Sequence, residues 1–275
     1  MSQNQAVAAG TRIGHVHLKV ADLDRALGFY CGVLGFELQQ RMGSGAAFIS
    51  AGGYHHHIGL NTWESKGGHP PPPGTTGLFH TAILYPTRPA LADALHRVLS
   101  AGIHLDGASD HGVSEALYLR DPDENGVELY WDRPKEQWPL TPEGKLAMFT
   151  KRLDSGAAFI SAGGYHHHLG LNTWESKGGH PPPPGTTGLF HTAILYPTRA
   201  ALADALHRVI AAGIPLDGAS DHGVSEALYL RDPDDNGVEL YWDRPQAQWP
   251  RKADGSLAMF TRRLDVDDLL AQRVV

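Results

Sequence analysis

The sequence repeats itself: Ser44–Asp154 aligns without a gap onto Ser155–Asp265, with roughly 97 identities over about 111 positions. A duplication of that fidelity constrains the fold more than composition does, because whatever one copy can build the other can build too. The differences gather in polar stretches, Lys135-Glu136 against Gln246-Ala247 and Leu140-Thr141-Pro142-Glu143 against Arg251-Lys252-Ala253-Asp254, where surface loops tolerate drift. The copied block starts in mid-unit. Thr11–Gly43 occurs once, and Leu146–Leu153 runs straight into a second Ser-Gly-Ala-Ala-Phe-Ile-Ser, so the second copy is incomplete.

Inside the first copy lies an older, shorter repeat. Alternation over Ile13–Val20 predicts a strand, and Asp22 caps a helix whose apolar positions Leu23, Ala26, Leu27, Tyr30, Val33 and Leu34 keep helical spacing up to Gly35. Strands are expected at Phe36–Arg41, Ala46–Ser50 and His55–Trp63. After the Gly/Pro spacer Gly67–Gly77 the order recurs: a strand at Phe79–Tyr85, a helix from Pro89 to Gly102, then strands at Ile103–Asp106, Ala116–Arg120 and Val127–Trp131. Each unit reads β-α-β-β-β. One helix covers only one face of a four-stranded sheet, so the other face needs a partner unit. The expected fold is α+β, with tandem βαβββ units. The expected boundaries are a disordered 1–10, a complete two-unit domain at 11–153, a partial duplicate at 154–265 and a tail at 266–275.

Composition excludes several classes. The net charge of −7 is interspersed and includes no basic run that would track a phosphate backbone, so nucleic acid is not an expected partner. No stretch approaches 18 uninterrupted apolar residues, Cys31 is the single cysteine, and Met1–Gly10 lacks the pattern of a secretion signal. The expectation is a cytoplasmic protein without a membrane span. Seventeen histidines without paired cysteines direct attention to His/carboxylate metal sites.

On the first strand, alternation puts Val16, Leu18 and Val20 on the helix side and His15, His17 and Lys19 on the other. His80 stands in the second unit where His15 stands in the first. Glu128 lies in Val127-Glu128-Leu129-Tyr130-Trp131, and a carboxylate among large apolar residues is costly unless paired or bound to a cation. Taken singly, each has a plain structural explanation, such as a half-buried histidine or an ion pair of Glu128 with Arg120 or Arg133. Two equivalent histidines and a carboxylate on a shared face instead make a 2-His-1-carboxylate set, suited to Fe(II) or Mn(II).

Gly14-His15-Val16-His17-Leu18-Lys19-Val20-Ala21-Asp22-Leu23, with Phe29-Tyr30 and Leu34-Gly35-Phe36, resembles the opening of a vicinal oxygen chelate domain. His111, Leu117-Tyr118, Asp121-Pro122 and Glu128 are similar to the extradiol dioxygenase signature, departing from it at Ser109 and Glu124. The resemblance implies a metal held by His15, His80 and Glu128, with His111 and Tyr118 lining the pocket of a catechol-like diol that reacts with O2. It also implies an acid/base histidine three residues before Gly59, which is His56, whereas strand alternation from Gly59 favours His57 and His55. Glyoxalase-type isomerases of the same superfamily carry a fourth, carboxylate ligand where this chain has Gly59. The alternatives are such an isomerase or lyase, and a non-catalytic small-molecule binding protein of the resistance type.

The duplicate repeats the site as His167, His191, His222, Tyr229 and Glu239 but has no counterpart of His15. Two arrangements are open. The first unit can pair with its neighbour across the short spacer, or with the second copy, at a loop-closure cost of about 1–2 kcal/mol. Connectivity favours the neighbour, which predicts one metal bound through Glu128 and not Glu239. An incomplete unit with exposed apolar sheet also predicts a homo-oligomer.

Overall fold

The first unit begins with β1 (Arg12–Lys19), whose Val16, Leu18 and Val20 face a buried apolar cluster as alternation requires. Asp22 accepts from Arg25 N and caps α1 (Leu23–Leu27), which runs on as a π-helical stretch over Gly28–Val33. Then follow β2 (Glu37–Met42), β3 (Ala46–Ser50) and β4 (Ile58–Asn61). The second unit holds β5 (Thr81–Leu84), α2 (Arg88–Ser100), β6 (Gly107–Asp110), β7 (Ser114–Arg120) and β8 (Gly126–Asp132). A computed structural model describes residues 6–147 and 156–273. The junction expected at 153–154 lies outside the described residues, as do 1–5 of the N-terminal segment and the last two residues of the tail.

In the duplicate, the truncated unit is a hairpin of β9 (Ala157–Ile160) and β10 (Leu169–Asn172). The last unit has β11 (Gly188–Leu195), α3 (Arg199–Ala211), β12 (Gly218–Asp221), β13 (Ser225–Arg231) and β14 (Gly237–Asp243). It is followed by β15 (Arg262–Arg263) and α4 (Val266–Leu270), so the expected C-terminal tail includes a helix, with Leu269 fully buried. The strand expected at Ile103–Asp106 sits four residues later, at β6. Among the described residues no helix is long and apolar enough to cross a membrane.

The α+β class and the βαβββ units are as read from the sequence, but the pairing of units is not. β1 lies between β4, which it pairs in parallel, and β11 of the duplicate, which it pairs antiparallel. A nine-stranded sheet results, in the order β15-β12-β13-β14-β11-β1-β4-β3-β2. The second unit forms its own sheet, β5-β8-β7-β6, and the β9-β10 hairpin forms a third. The expected self-contained domain at 11–153 is therefore corrected: the first unit shares its sheet with the last unit, not with its neighbour.

Contacts outside the shared face explain the choice. Because the copies are nearly identical, either second-type unit offers β1 almost the same edge. The helix side differs. Leu23, Ala26, Phe29 and Tyr30 pack in one cluster with Leu91, Val98, Leu119 and Leu129 of the second unit. Tyr30 donates to Asp121 at 3.0 Å, Ala21 N donates to Asp123 at 3.0 Å, and Arg97 donates to the Val33 carbonyl at 3.0 Å. In the last unit, Leu264 and Leu269, from a segment that follows the duplicated block or ends it, join the cluster around α3. Burying one large apolar side chain is worth about 1.5–3 kcal/mol, so two or three of these contacts outweigh the loop-closure cost.

Candidate metal centre

The register of β1 on β11 sets His17 opposite His191 and His15 opposite Ala193, and β11 runs parallel to β14 with Ala193 beside Glu239. The consequence is local and specific. His15 Nε2 lies 3.2 Å from Glu239 Oε2, His191 Nε2 lies 2.9 Å from the same oxygen, and the two imidazole nitrogens are 3.4 Å apart. All three residues are buried, and among the described residues theirs is the one group of three that meets the spacing for a shared metal ion. Ligands at right angles with bonds of about 2.0–2.2 Å sit about 3 Å apart, so the observed separations fit a divalent first-row ion on one face of its coordination sphere.

The expected trio of His15, His80 and Glu128 is not assembled. His80 and Glu128 do meet, at 2.9 Å, but in the second unit's sheet, away from β1. His111 and Tyr118 stay with them: His111 Nε2 is 2.8 Å from the Tyr118 hydroxyl, which donates to Glu128 at 3.0 Å. Around Glu239 the same roles fall to the second copies, with His222 Nε2 2.7 Å from the Tyr229 hydroxyl. The sequence pattern occurs in both copies, and the residues that converge on His15 are those of the second copy, His191 and Glu239, not His80 and Glu128.

His56 reaches the assembled centre. It lies before β4, in the segment His55–His57 that sequence alternation had assigned to a strand, and its ring centroid is 4.1 Å from that of His15. His57 lies 3.3 Å from Ala51 N through Nδ1, at the outer end of the hairpin. His55 is buried between Asp243 Oδ1, 2.8 Å from its Nε2, and His56 Nδ1, 2.7 Å from its Nδ1. One set of tautomers satisfies these contacts. If neutral His55 donates from Nε2 to the Asp243 carboxylate, its bare Nδ1 accepts the Nδ1 proton of His56, which leaves His56 Nε2 as a proton acceptor. Tyr54 completes the arrangement, donating to Asp243 at 2.6 Å with its oxygen 2.8 Å from the Tyr241 hydroxyl. Sequence reasoning missed this Tyr54-His55-Asp243-Tyr241 network, because its members come from different copies.

Electrostatics suit metal binding. Burial pulls the imidazoles of His15, His17 and His56 below the ordinary histidine range; Glu239 opposes the shift at His15, and neighbouring imidazoles reinforce it at His17 and His56. Burial alone would raise the Glu239 carboxyl, but the charges and hydrogen bonds of His15 and His191 outweigh it and hold the group well below the usual carboxylate range. A carboxylate held ionised is the form that binds a metal. Burial and the adjacent Glu239 push the Tyr229 hydroxyl up, so it stays a donor.

Comparison with known proteins agrees with this fold. The model of the Glyoxalase/Bleomycin resistance protein/Dioxygenase superfamily matches residues 12–129 and 140–240. The chain belongs to that superfamily. Within it, the chain is 32% identical over 261 residues to the catechol-2,3-dioxygenase of Bacillus subtilis (strain 168), an alignment spanning 75% of this chain and 90% of that protein. It is 32% identical over 126 residues to biphenyl-2,3-diol 1,2-dioxygenase 2 of Rhodococcus globerulus, covering 46% of this chain and 65% of that protein. A crystal structure from Bacillus subtilis subsp. subtilis str. 168, described provisionally as a dioxygenase, superposes with a TM-score of 0.64 at 16% identity. It covers 88% of this chain and 87% of that one, which is a likeness of fold.

A Cβ built at Gly59 would lie 2.8 Å from the His17 ring. The space beside Gly59 is thus filled by an imidazole.

Proposed function

We propose that this chain is an extradiol ring-cleaving dioxygenase acting on a catechol-like aromatic diol and O2, with one catalytic metal, Fe(II) or Mn(II), held by His15, His191 and Glu239. The observation that carries the reading is the convergence of those three buried ligand atoms between 2.9 and 3.4 Å, in a member of a superfamily that includes dioxygenases. The similarity to a catechol-2,3-dioxygenase over most of both chains supports the substrate class.

When bound, the metal would supply adjacent open positions for the diol and dioxygen and the electron exchange between them. The protein's own residues do the rest. His56, kept neutral by burial, takes a proton from a diol hydroxyl at Nε2 and returns it later in the cycle. Asp243, acting through His55, holds the tautomer that makes this possible. Tyr229, whose hydroxyl is hydrogen-bonded to Glu239 and lies 2.7 Å from His222 Nε2, would orient a substrate oxygen beside that carboxylate. His111 and Tyr118 are the copies that lie outside this pocket.

Three protein ligands leave room for a bidentate diol beside dioxygen, whereas the isomerase reading wants the carboxylate that His17 blocks at Gly59. A non-catalytic binding protein has no need of a buried triad of ligands. The test is anaerobic reconstitution with Fe(II), then exposure to air with a panel of catechols, watching for yellow ring-opened products. Turnover of at least one catechol with Fe(II) is expected. Inert catechols, together with turnover of a thiol adduct on nickel or zinc, would transfer the assignment to the isomerase class.

A further inference from the structure

The second unit and the truncated hairpin rebuild most of the same centre. His166 Nε2 lies 2.9 Å from Asp132, the Tyr165 hydroxyl is 3.0 Å from that of Tyr130, and His166 Nδ1 is 2.8 Å from His167 Nδ1. These contacts match those of His55, Tyr54 and His56 around Asp243 and Tyr241 to within about 0.2 Å. The Phe79–Trp174 ring distance, 5.4 Å, equals that of Phe190–Trp63. At the centre of this second assembly, His80 Nε2 and Glu128 Oε2 stand 2.9 Å apart, the separation of His191 from Glu239. Only the strand that would bring the first histidine is absent: β5 and β10 are both sheet edges, whereas β1 stands between β11 and β4 in the complete assembly.

We infer that His80 and Glu128 form a second, weaker divalent-metal site, with two protein ligands on one side of the ion and water or a small anion on the other. The ligand chemistry is already paired for this role. The Glu128 side chain is 9% exposed and keeps its second oxygen on the Tyr118 hydroxyl, leaving Oε2 and the imidazole to share an ion. Among the described residues His80 Nδ1 is buried without a hydrogen-bond partner, so no hydrogen bond ties the ring, which packs beside Phe79 and Tyr118, to a different orientation. Access is also provided. The His80 side chain is 29% exposed where His191 is 8% exposed, because no β1 covers it. Losing an outer-shell partner alone commonly weakens metal binding by about 10–100-fold, so a site lacking a whole ligand should bind at least about 100-fold more weakly than the complete centre. This inference goes beyond the catalytic proposal and does not depend on which reaction the complete centre performs.

Isothermal titration of the Fe(II)-loaded protein with Zn(II) under anaerobic conditions tests it, alongside Co(II) titration read by visible absorption. The expected result is one further ion per chain, whose affinity falls at least tenfold in both His80→Ala and Glu128→Gln while the tightly bound iron stays. Glu239→Gln should do the opposite, removing the tight ion and sparing the weak one. Thermal melts of Glu128→Gln, which keeps the shape of the side chain, distinguish loss of ligand from loss of fold. A wild-type chain that binds only one ion, or a second ion indifferent to both His80 and Glu128, overturns the inference.

Discussion

The pairing of the first unit with the last rests on one close approach that a double-mutant cycle can read. Gly14 of β1 packs onto the ring of Tyr241, and a Cβ added at Gly14 would fall inside the hydroxyl and 2.6 Å from Cζ. Tyr241 has no room to retreat, being fully buried with its oxygen 2.8 Å from that of Tyr54. Gly14→Ala should therefore cost about 1–3 kcal/mol for overpacking and about 1 kcal/mol more for the displaced hydrogen bond. Made together with Tyr241→Leu, which vacates the contested volume, the substitution should cost much less, a coupling of about 2 kcal/mol. Tyr130, the counterpart of Tyr241 in the first copy, touches Tyr165 instead, so Gly14→Ala and Tyr130→Leu should add within about 0.5 kcal/mol. Urea unfolding followed by tryptophan fluorescence supplies the four stabilities of each cycle. Coupling of Gly14 to Tyr130 rather than Tyr241 would refute the assignment of β1 to the duplicate.

Other expectations follow from particular residues. His56→Ala should keep its metal and lose turnover by about 10²–10⁴-fold, and His55→Ala should also lower turnover with metal retained, as metal analysis beside catechol kinetics would show. Glu124 and Asp235 hold left-handed backbone, φ 62° and 64°, at equivalent turns; Glu124→Gly and Asp235→Gly should each stabilise the fold by about 1 kcal/mol, measured by chemical denaturation. Burial raises the Cys31 thiol above its ordinary value of 9.0, so the reactive thiolate is scarcer than in a free cysteine at any pH below that range. Alkylation by iodoacetamide at pH 8 should be slower than for a model thiol and should accelerate as pH rises past 9; a rate already at its plateau at pH 8 would contradict the shift.

Much of this was legible in the sequence because it depends on local pattern. The β-α-β-β-β order follows from alternation and capping, and the pairing of imidazole with carboxylate follows from equivalent positions in repeated units. Glu124, which departs from the dioxygenase signature, holds left-handed backbone, a local conformation that its sequence neighbours do not announce. What alternation could not supply was the choice between Glu128 and Glu239, because their flanking sequences are identical. That choice is made by nonlocal packing: α1 on the second unit's helix layer, and Leu264 and Leu269 on the last unit's. His56 was ambiguous for a related reason. Strict alternation assumed that the strand reached back to His55, whereas β4 starts at Ile58 and the three histidines precede it.

The most direct measurement compares Glu239→Gln with Glu128→Gln for tightly bound metal, by elemental analysis after anaerobic Fe(II) loading and desalting, and for catechol cleavage on the same samples. Assembly of the centre from His15, His191 and Glu239 predicts that Glu239→Gln loses both the tight ion and turnover, while Glu128→Gln retains close to one iron per chain and most of its activity. Loss of tight iron and turnover in Glu128→Gln, with Glu239→Gln unaffected, would contradict it and return the centre to the first copy.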